Sequence, residues 1–206
     1  MHSYKHIALL CLVFFNFTCN EELKTTFTET NITTNTNKLV EINIPNAIDN
    51  NLVSNEINTE ISYSIIAALQ IGESDTITTK TIEESIDAFN EEYNAFNADF
   101  PNSALVWEAQ IDGEVMFQSP KIISIAITSY VNTGGAHGNT TISFLNFDAV
   151  TGKRIINKNL IKNEAAFGEA AKSYFVASLK EEDVLFDSDN FQLPANIGYN
   201  EEGIIL

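Results

Sequence analysis

Cysteine is scarce in this chain: Cys11 and Cys19 are the only two, and Cys11 sits inside an apolar run near the start. No disulfide framework and no Cys-x-x-Cys zinc or redox motif can be assembled from them. Histidine is almost as rare. His2 and His6 belong to the same N-terminal segment, which leaves His137 alone in the body of the sequence, so a zinc site there would have to draw on carboxylates. Basic residues are few as well: 11 Lys and Arg against 28 Asp and Glu give a formal net charge of −17. A field of that sign repels nucleic acid and anionic lipid, so neither is expected as a nonspecific partner. The apolar run Ile7–Phe15 falls well short of the roughly 20 residues that a membrane-spanning helix needs. Phosphate loops, dinucleotide fingerprints and a Gly-x-Ser-x-Gly nucleophile elbow are absent too.

What is present at the N-terminus is a targeting signal. Lys5 and His6 precede Ile7–Phe15, and Cys19 follows in "FNFTCNEEL". A charged start, a short apolar region and then a cysteine resemble a bacterial lipoprotein signal, cut before the cysteine so that its thiol carries the lipid. An ordinary secretory signal cleaved nearby is the other reading. The lipoprotein is favoured because Cys19 would be the mature chain's only thiol, which no disulfide explains. Residues 1–18 are therefore read as a signal peptide and 19–37 as a lipidated N-terminus and flexible Thr/Asn/Glu-rich tether. Residues 38–206 are read as one domain. The expected location is the bacterial cell envelope, anchored in a membrane and facing the periplasm or the cell surface.

Within the domain, strand and helix patterns follow one another. "KLVEINIP" puts Val40, Ile42 and Ile44 on one face and is expected to stop at Pro45. Val53, Ile57, Ile61, Ile65 and Leu69 recur at every fourth residue and predict a helix over about 51–70. Thr81 and Glu84 form a capping box ahead of the stripe Ile82, Ile86, Phe89, Tyr93 and Phe96, which Pro101 ends. The opposite side of that helix, with Glu83, Glu84, Asp87, Glu91 and Glu92, reads as a solvated face.

In "LVWEAQIDGEVMF", Asp112-Gly113 has the composition of a hairpin turn. A two-residue turn would place Ile111 opposite Glu114 and Gln110 opposite Val115. The apolar residues Leu105, Trp107, Ala109, Ile111, Val115 and Phe117 are all odd-numbered, so one strand over 105–118 is predicted, reversing at Ser119-Pro120. "KIISIAITSYV" and "TTISFLNF" follow as strands. "DAVTGKR" reads as a hairpin with Asp148 as a turn former and Gly152 in a left-handed bulge position. The nearby Lys153, Arg154, Lys158 and Lys162 read as guards of a sheet edge. A further helix starting at Asn163 is expected to bury Phe167, Ala170, Ala171, Tyr174, Phe175 and Leu179. The sum is an α+β fold: a mixed or antiparallel sheet with long central strands, packed by two or three helices.

The least generic stretch is "YVNTGGAHGN", whose Tyr130, Thr133, Gly134, Gly135 and His137 are the candidate binding residues. Glycines 134, 135 and 138 are expected to supply positive φ angles and close backbone approach. His137 is read first as a residue that hydrogen-bonds across the loop and second as a ligand contact; both readings stand. No catalytic set emerges. Glu108, Asp112 and Glu114 fall on one strand face, whereas a glycoside hydrolase needs carboxylates opposed across a cleft. Ser129 lacks the flanking glycines of a nucleophile elbow. Neither a cofactor nor a metal site is expected.

These residues also carry a resemblance. "SYVNTGGAHGN", "NFDAVTGKRI" and "EAAFGEAAKSYF" resemble an extracytoplasmic domain of unknown function. It is shared by the anti-sigma factor RsiV, whose outer domain senses lysozyme by binding it, and the non-catalytic part of the peptidoglycan deacetylase PdaC. Such domains continue past the position of "GIIL", so a shortened member or a piece of a longer one is expected. The resemblance implies an α+β envelope domain that recognises peptidoglycan or another glycan, or a muramidase-like (lysozyme-like) protein. It does not carry over deacetylation, because the catalytic part of PdaC has no counterpart in these residues. The favoured reading is a membrane-anchored, non-catalytic binding or sensing module without a nucleic-acid partner. The alternative is an envelope glycan hydrolase or a deacetylase-like enzyme.

Overall fold

The computed structural model describes residues 25–34, 39–49, 51–72, 77–180 and 191–206. The expected signal peptide, Cys19 and residues 20–24 and 35–37 of the tether lie outside the described residues. Strands β1 (Thr26–Thr33) and β2 (Val40–Ile48) lead into helices α1 (Asn51–Leu69) and α2 (Ile82–Asp99). Strands β3 (Glu108–Gln118), β4 (Ile122–Asn132) and β5 (Asn139–Asp148) follow. The single-turn α3 (Asn157–Leu160), α4 (Glu164–Ser178) and the short strands β6 (Gly198–Asn200) and β7 (Gly203–Ile205) complete the order. β1 to β5 form one sheet in chain order, antiparallel except for the parallel pair β2–β3, whose connection carries α1 and α2. This is the mixed-sheet α+β fold that the patterning predicts.

One face of the sheet is the core face. Even positions of β2 and odd positions of β3, β4 and β5 share it by register, and Ile42, Ile111, Ile125 and Leu145 are buried there. α1 contributes its four-residue stripe Val53, Ile57, Ile61, Ile65 and Leu69 to the same core. α2 adds Ile86 and Phe89, and its Phe89, Tyr93 and Phe96 rings surround Trp107 at centroid distances of 5.6, 5.9 and 5.6 Å. The Thr81 hydroxyl caps α2 by accepting from the Glu84 N–H at 3.1 Å. The Glu84 carboxylate reaches back to the Lys80 N–H at 2.7 Å, one residue beyond the usual capping-box partner. The opposite, outer face is partly covered by the chain's last segment. Ser124 Oγ accepts from the Tyr199 N–H at 3.1 Å, and Asn146 donates to the Ile197 carbonyl at 2.6 Å. Burial there raises the Tyr199 phenol above its ordinary pKa.

Four expectations need correction. The stretch read as a tether contains β1, paired with β2 over its full length. Its threonines suit a pleated edge, Ile32 pairs with Ile42, and Glu29 and Asn31 face solvent. Low hydrophobicity made the segment look unstructured because the backbone pairing that holds it is not visible locally.

Pro45 does not end β2. Odd residues of that strand turn their N–H and C=O toward β3, as the Ala109 N–H on the Leu39 carbonyl shows. Pairing with β3 stops at Asn43–Asp112, so the missing N–H of Pro45 interrupts no ladder bond. The next odd residue, Ala47, finds its partners in the Asn58 side chain of α1, at 2.8 Å to its N–H and 3.0 Å to its carbonyl.

β3 runs unbroken through Asp112-Gly113, as strand parity predicts, but it starts at Glu108 rather than 105 and its register shifts between Val115 and Phe117. Leu105 and Val106 are exposed before it. Gly113 is required by the Pro45 ring, whose Cδ would lie 2.6 Å from a Cβ there.

Finally, α4 is capped by Asn163 as expected, its Oδ1 accepting from the Ala166 N–H at 3.1 Å, yet of the six residues assigned to its core face only Ala171 is buried. Tyr174 is 81% exposed. Phe175 meets Phe191 at 5.4 Å rather than entering the core.

Candidate functional site

The glycine loop, residues 133–138, joins β4 to β5 at the end of the sheet far from the start of β1. Its glycines have separate jobs. Only Gly134 has a positive φ, +84°, and the Asn132 side chain accepts its N–H at 2.9 Å. It lies against Leu105 and the indole of Trp107, leaving 3.1 Å and 3.5 Å respectively for a Cβ. Gly138 has no positive φ but sits under the Tyr130 ring, where a Cβ would approach to 2.3 Å. Gly135 is in the open, so the expectation of three positive φ angles holds for one glycine only. Among the described residues the buried Trp107 Nε1–H has no hydrogen-bond partner.

The five candidate residues do not converge on one cavity. Tyr130 is an even position of β4, paired with Thr140, and faces the outer side of the sheet. Thr133 is on the core side. Gly135 and His137 are exposed at the loop tip. The His137 Nδ1 lies 3.1 Å from the carbonyl oxygen of Gly138, so its hydrogen bond is to its immediate neighbour rather than across the loop.

A groove of about 530 Å³ does lie beside the loop, on the core face, where the end of α1 runs over β4 and β5. The register explains its polarity. Ile123, Ile125 and Ile127 are buried odd positions of β4, but the next is Ser129, and the residues paired with Ile127, Ser129 and Val131 on β5 are Ser143, Thr141 and Asn139. Thr133 continues this floor, and Ala67, Ala68, Gln70 and Ile71 form the wall with the half-exposed Tyr63. Among the described residues the lining holds hydroxyls, amides and one phenol, and no carboxylate, imidazole or ammonium group. Such a surface can hydrogen-bond an uncharged polar ligand and stack one aromatic ring against it, and among the described residues it presents no acid, base or nucleophile pair. The spacing signals used on the sequence could not find these residues, because Ser and Thr inside a strand carry no motif. The only trace was the change from Ile to Ser on one strand face.

A second depression, of about 480 Å³, lies on the outer face between Glu29, Asp112 and Glu114, with Asn43 donating to the Asp112 carboxylate at 3.0 Å. Among the described residues, no three His, Cys, Asp or Glu side chains are grouped so as to hold a metal ion. Asp148 is bound up in its own turn. Its Oδ1 accepts from the Thr151 N–H at 2.8 Å, the Thr151 hydroxyl at 2.9 Å and the Val150 N–H at 3.0 Å, and these bonds, the Thr151 N–H foremost, hold its carboxyl below the ordinary value. Arg154 is likewise structural: it donates to the Phe144 carbonyl at 2.9 Å, lies over the Phe147 ring and approaches Glu60 at 3.7 Å.

A family model described as Deacetylase PdaC matches residues 26–140, from the first residue of β1 through the glycine loop into β5. The chain belongs to the PdaC family. That match starts where β1 starts, so the PdaC domain includes the strand that composition alone assigned to a tether. The fold is similar to that of a DUF3298 family protein from Pseudomonas aeruginosa, at 17% identity over 91% of this chain and 83% of that one, with a TM-score of 0.55. A DUF3298 family member from Bacteroides fragilis is similar at 20% identity over 75% of this chain and 66% of that one, with a TM-score of 0.45. No curated protein matches the sequence. Membership of the PdaC family is consistent with an extracytoplasmic, cell-envelope domain. Among the described residues no helix is long and apolar enough to cross a membrane.

Proposed function

We propose that this protein is a cell-envelope lipoprotein whose PdaC-like domain binds glycan of the peptidoglycan type without turning it over. One observation supports this most: the uncharged, hydroxyl- and amide-lined groove beside the glycine loop, rimmed by Tyr63. Neutral sugars are held by this combination of hydrogen-bonding groups and an aromatic ring. Hydrolysis would need a second carboxylate facing the first across the ligand, and among the described residues the groove lining has neither. The test is retention of the purified protein on insoluble peptidoglycan, beside mass spectrometry of the glycan for cleaved or deacetylated products. Retention that falls at least tenfold in Thr141→Val/Ser143→Ala, with the glycan unchanged, is the expected result. Product formation would establish the enzymatic alternative, and undiminished retention by the variant would remove the groove from the account. A second reading, a muramidase-like protein of basic surface as partner, is favoured by the carboxylates Glu29, Asp112 and Glu114 on the outer face. Pull-down of lysozyme by wild type and by Asp112→Asn/Glu114→Gln separates it from the first.

A further inference from the structure

We propose that the pole of the sheet where β1 begins rests toward a lipid surface, and that the opposite pole, with the glycine loop and the hydroxyl groove, is held away from it. The proposal rests on lipid anchoring at Cys19, and the length of chain between anchor and fold then decides the geometry. With the tether expected to run to residue 37, the domain would swing freely. β1 begins at Thr26, so only six residues separate it from Cys19, a reach of no more than about 25 Å when fully extended. The eight residues of β1 then lead away from the entry point by about 27 Å.

The entry pole is a continuous surface. Gln118 donates to the Thr25 carbonyl at 2.6 Å, the Ala149 N–H to the Lys121 carbonyl at 3.0 Å, and the Asp148 N–H to the Lys153 carbonyl at 2.9 Å. Lys121 and Lys153 are exposed on it. Its carboxylates are Asp148, which accepts three bonds inside its turn, Asp49, bonded by the Thr26 hydroxyl, and the exposed Glu56 beside Gly152, so charges of both signs meet at this pole. The broad sides are different. Glu29, Asp112 and Glu114 are exposed or partly exposed on the outer face of the sheet, and Glu83, Glu84, Asp87, Glu91 and Glu92 are exposed on α2. Lying flat on either side would press a row of carboxylates against lipid phosphates, which an anionic surface disfavours, whereas at this end Lys121 and Lys153 offset the nearby carboxylates, and the short reach from Cys19 holds it there. The groove would thereby open toward the wall-facing space rather than the bilayer.

The test uses the full chain, expressed in a lipidating bacterium, purified from membranes and reconstituted into phosphatidylethanolamine–phosphatidylglycerol vesicles containing a nitroxide-headgroup lipid. After signal removal and acylation of Cys19, an introduced cysteine is the only free thiol, so Val150→Cys and Ala136→Cys can each carry one fluorophore, both at exposed sites. Strong quenching at position 150 with little at 136 is expected, and Lys121→Glu/Lys153→Glu should narrow the difference. Equal quenching at both positions, or stronger quenching at 136, overturns the orientation. Mass spectrometry of the same sample reads the anchor: a Cys19 without acyl chains overturns the anchoring reading and the proposal with it, whereas acylated protein quenched at the loop overturns the orientation alone.

Discussion

Gly152 is the glycine on which the fold depends most. Its φ is +73°, and a Cβ would stand 2.8 Å from the Val53 carbonyl oxygen, against backbone that cannot move aside. Gly152→Ala should cost more than about 1 kcal/mol, while Gly135→Ala, whose Cβ would meet only the His137 carbonyl at 3.6 Å, should stay within about 0.5 kcal/mol; denaturant midpoints at constant m-value compare them. Trp107→Ala, which empties the centre of a four-ring cluster, should lose about 3–5 kcal/mol by the same measurement. His137→Ala should leave the midpoint unchanged because the ring is exposed and bonded only to its neighbour, so partner binding alone distinguishes a ligand contact from a loop residue. Asp148 has a pH signature. Its folded pKa is depressed, so the stability that its bonds contribute is present above the unfolded value and is lost as pH falls through the folded one. Asp148→Asn should therefore flatten the acid limb of the stability profile at pH values below the ordinary carboxylate range and leave the neutral region's slope unaltered.

Elements in this molecule are joined by side chains that stand in for missing backbone partners. Asn58 of α1 satisfies both polar groups of Ala47 where β3 no longer reaches, and the Asn196 side chain does the same at the edge of β5, accepting from the Phe144 N–H at 2.9 Å and donating to the Ile142 carbonyl at 3.2 Å. Asn58→Ala should destabilise by about 1–3 kcal/mol, since it leaves part-buried backbone groups unpaired. Hydrogen exchange should locate the loss at the Ala47 amide; unchanged protection there would show that water takes the place of the amide side chain. Arg154 belongs to the same class. Burial pulls its guanidinium below the usual value, with Glu60 opposing, and its bond to the Phe144 carbonyl ties the hairpin to β5. That use of the cation is more specific than guarding an edge.

At the scale of the whole molecule the net charge of −17 has a consequence for stability as well as for partners. Acidic side chains crowd α2 and the outer sheet face, so compaction works against their mutual repulsion. Thermal unfolding should shift upward as ionic strength rises from very low values, because counterions screen that repulsion. An unchanged midpoint would mean that the carboxylates are far enough apart for water alone to uncouple them. Among the described residues the same charge distribution leaves the groove as a neutral strip in an acidic surface, which supports the proposal of a neutral glycan ligand.

Periodicity was sufficient for α1 and α2, whose apolar stripes depend only on residues three and four apart, and strand parity was sufficient to reject a turn at Asp112-Gly113. These features are local, so the order of residues contains them. β1 could not be read this way: a polar, threonine-rich segment becomes a strand because β2, a separate stretch of the chain, offers it a backbone edge. Pro45 continues a strand rather than ending it because pairing on its blocked side has already stopped. The candidate site belongs wholly to this second class. Ser129, Thr141 and Ser143 are unremarkable until register sets them side by side and α1 roofs them, whereas the conspicuous Tyr130, inside β4, and Thr133, just past its end, lie on opposite faces of the sheet. Composition and spacing determined the elements and the charge; the pairing of distant strands decided which side chains share a surface.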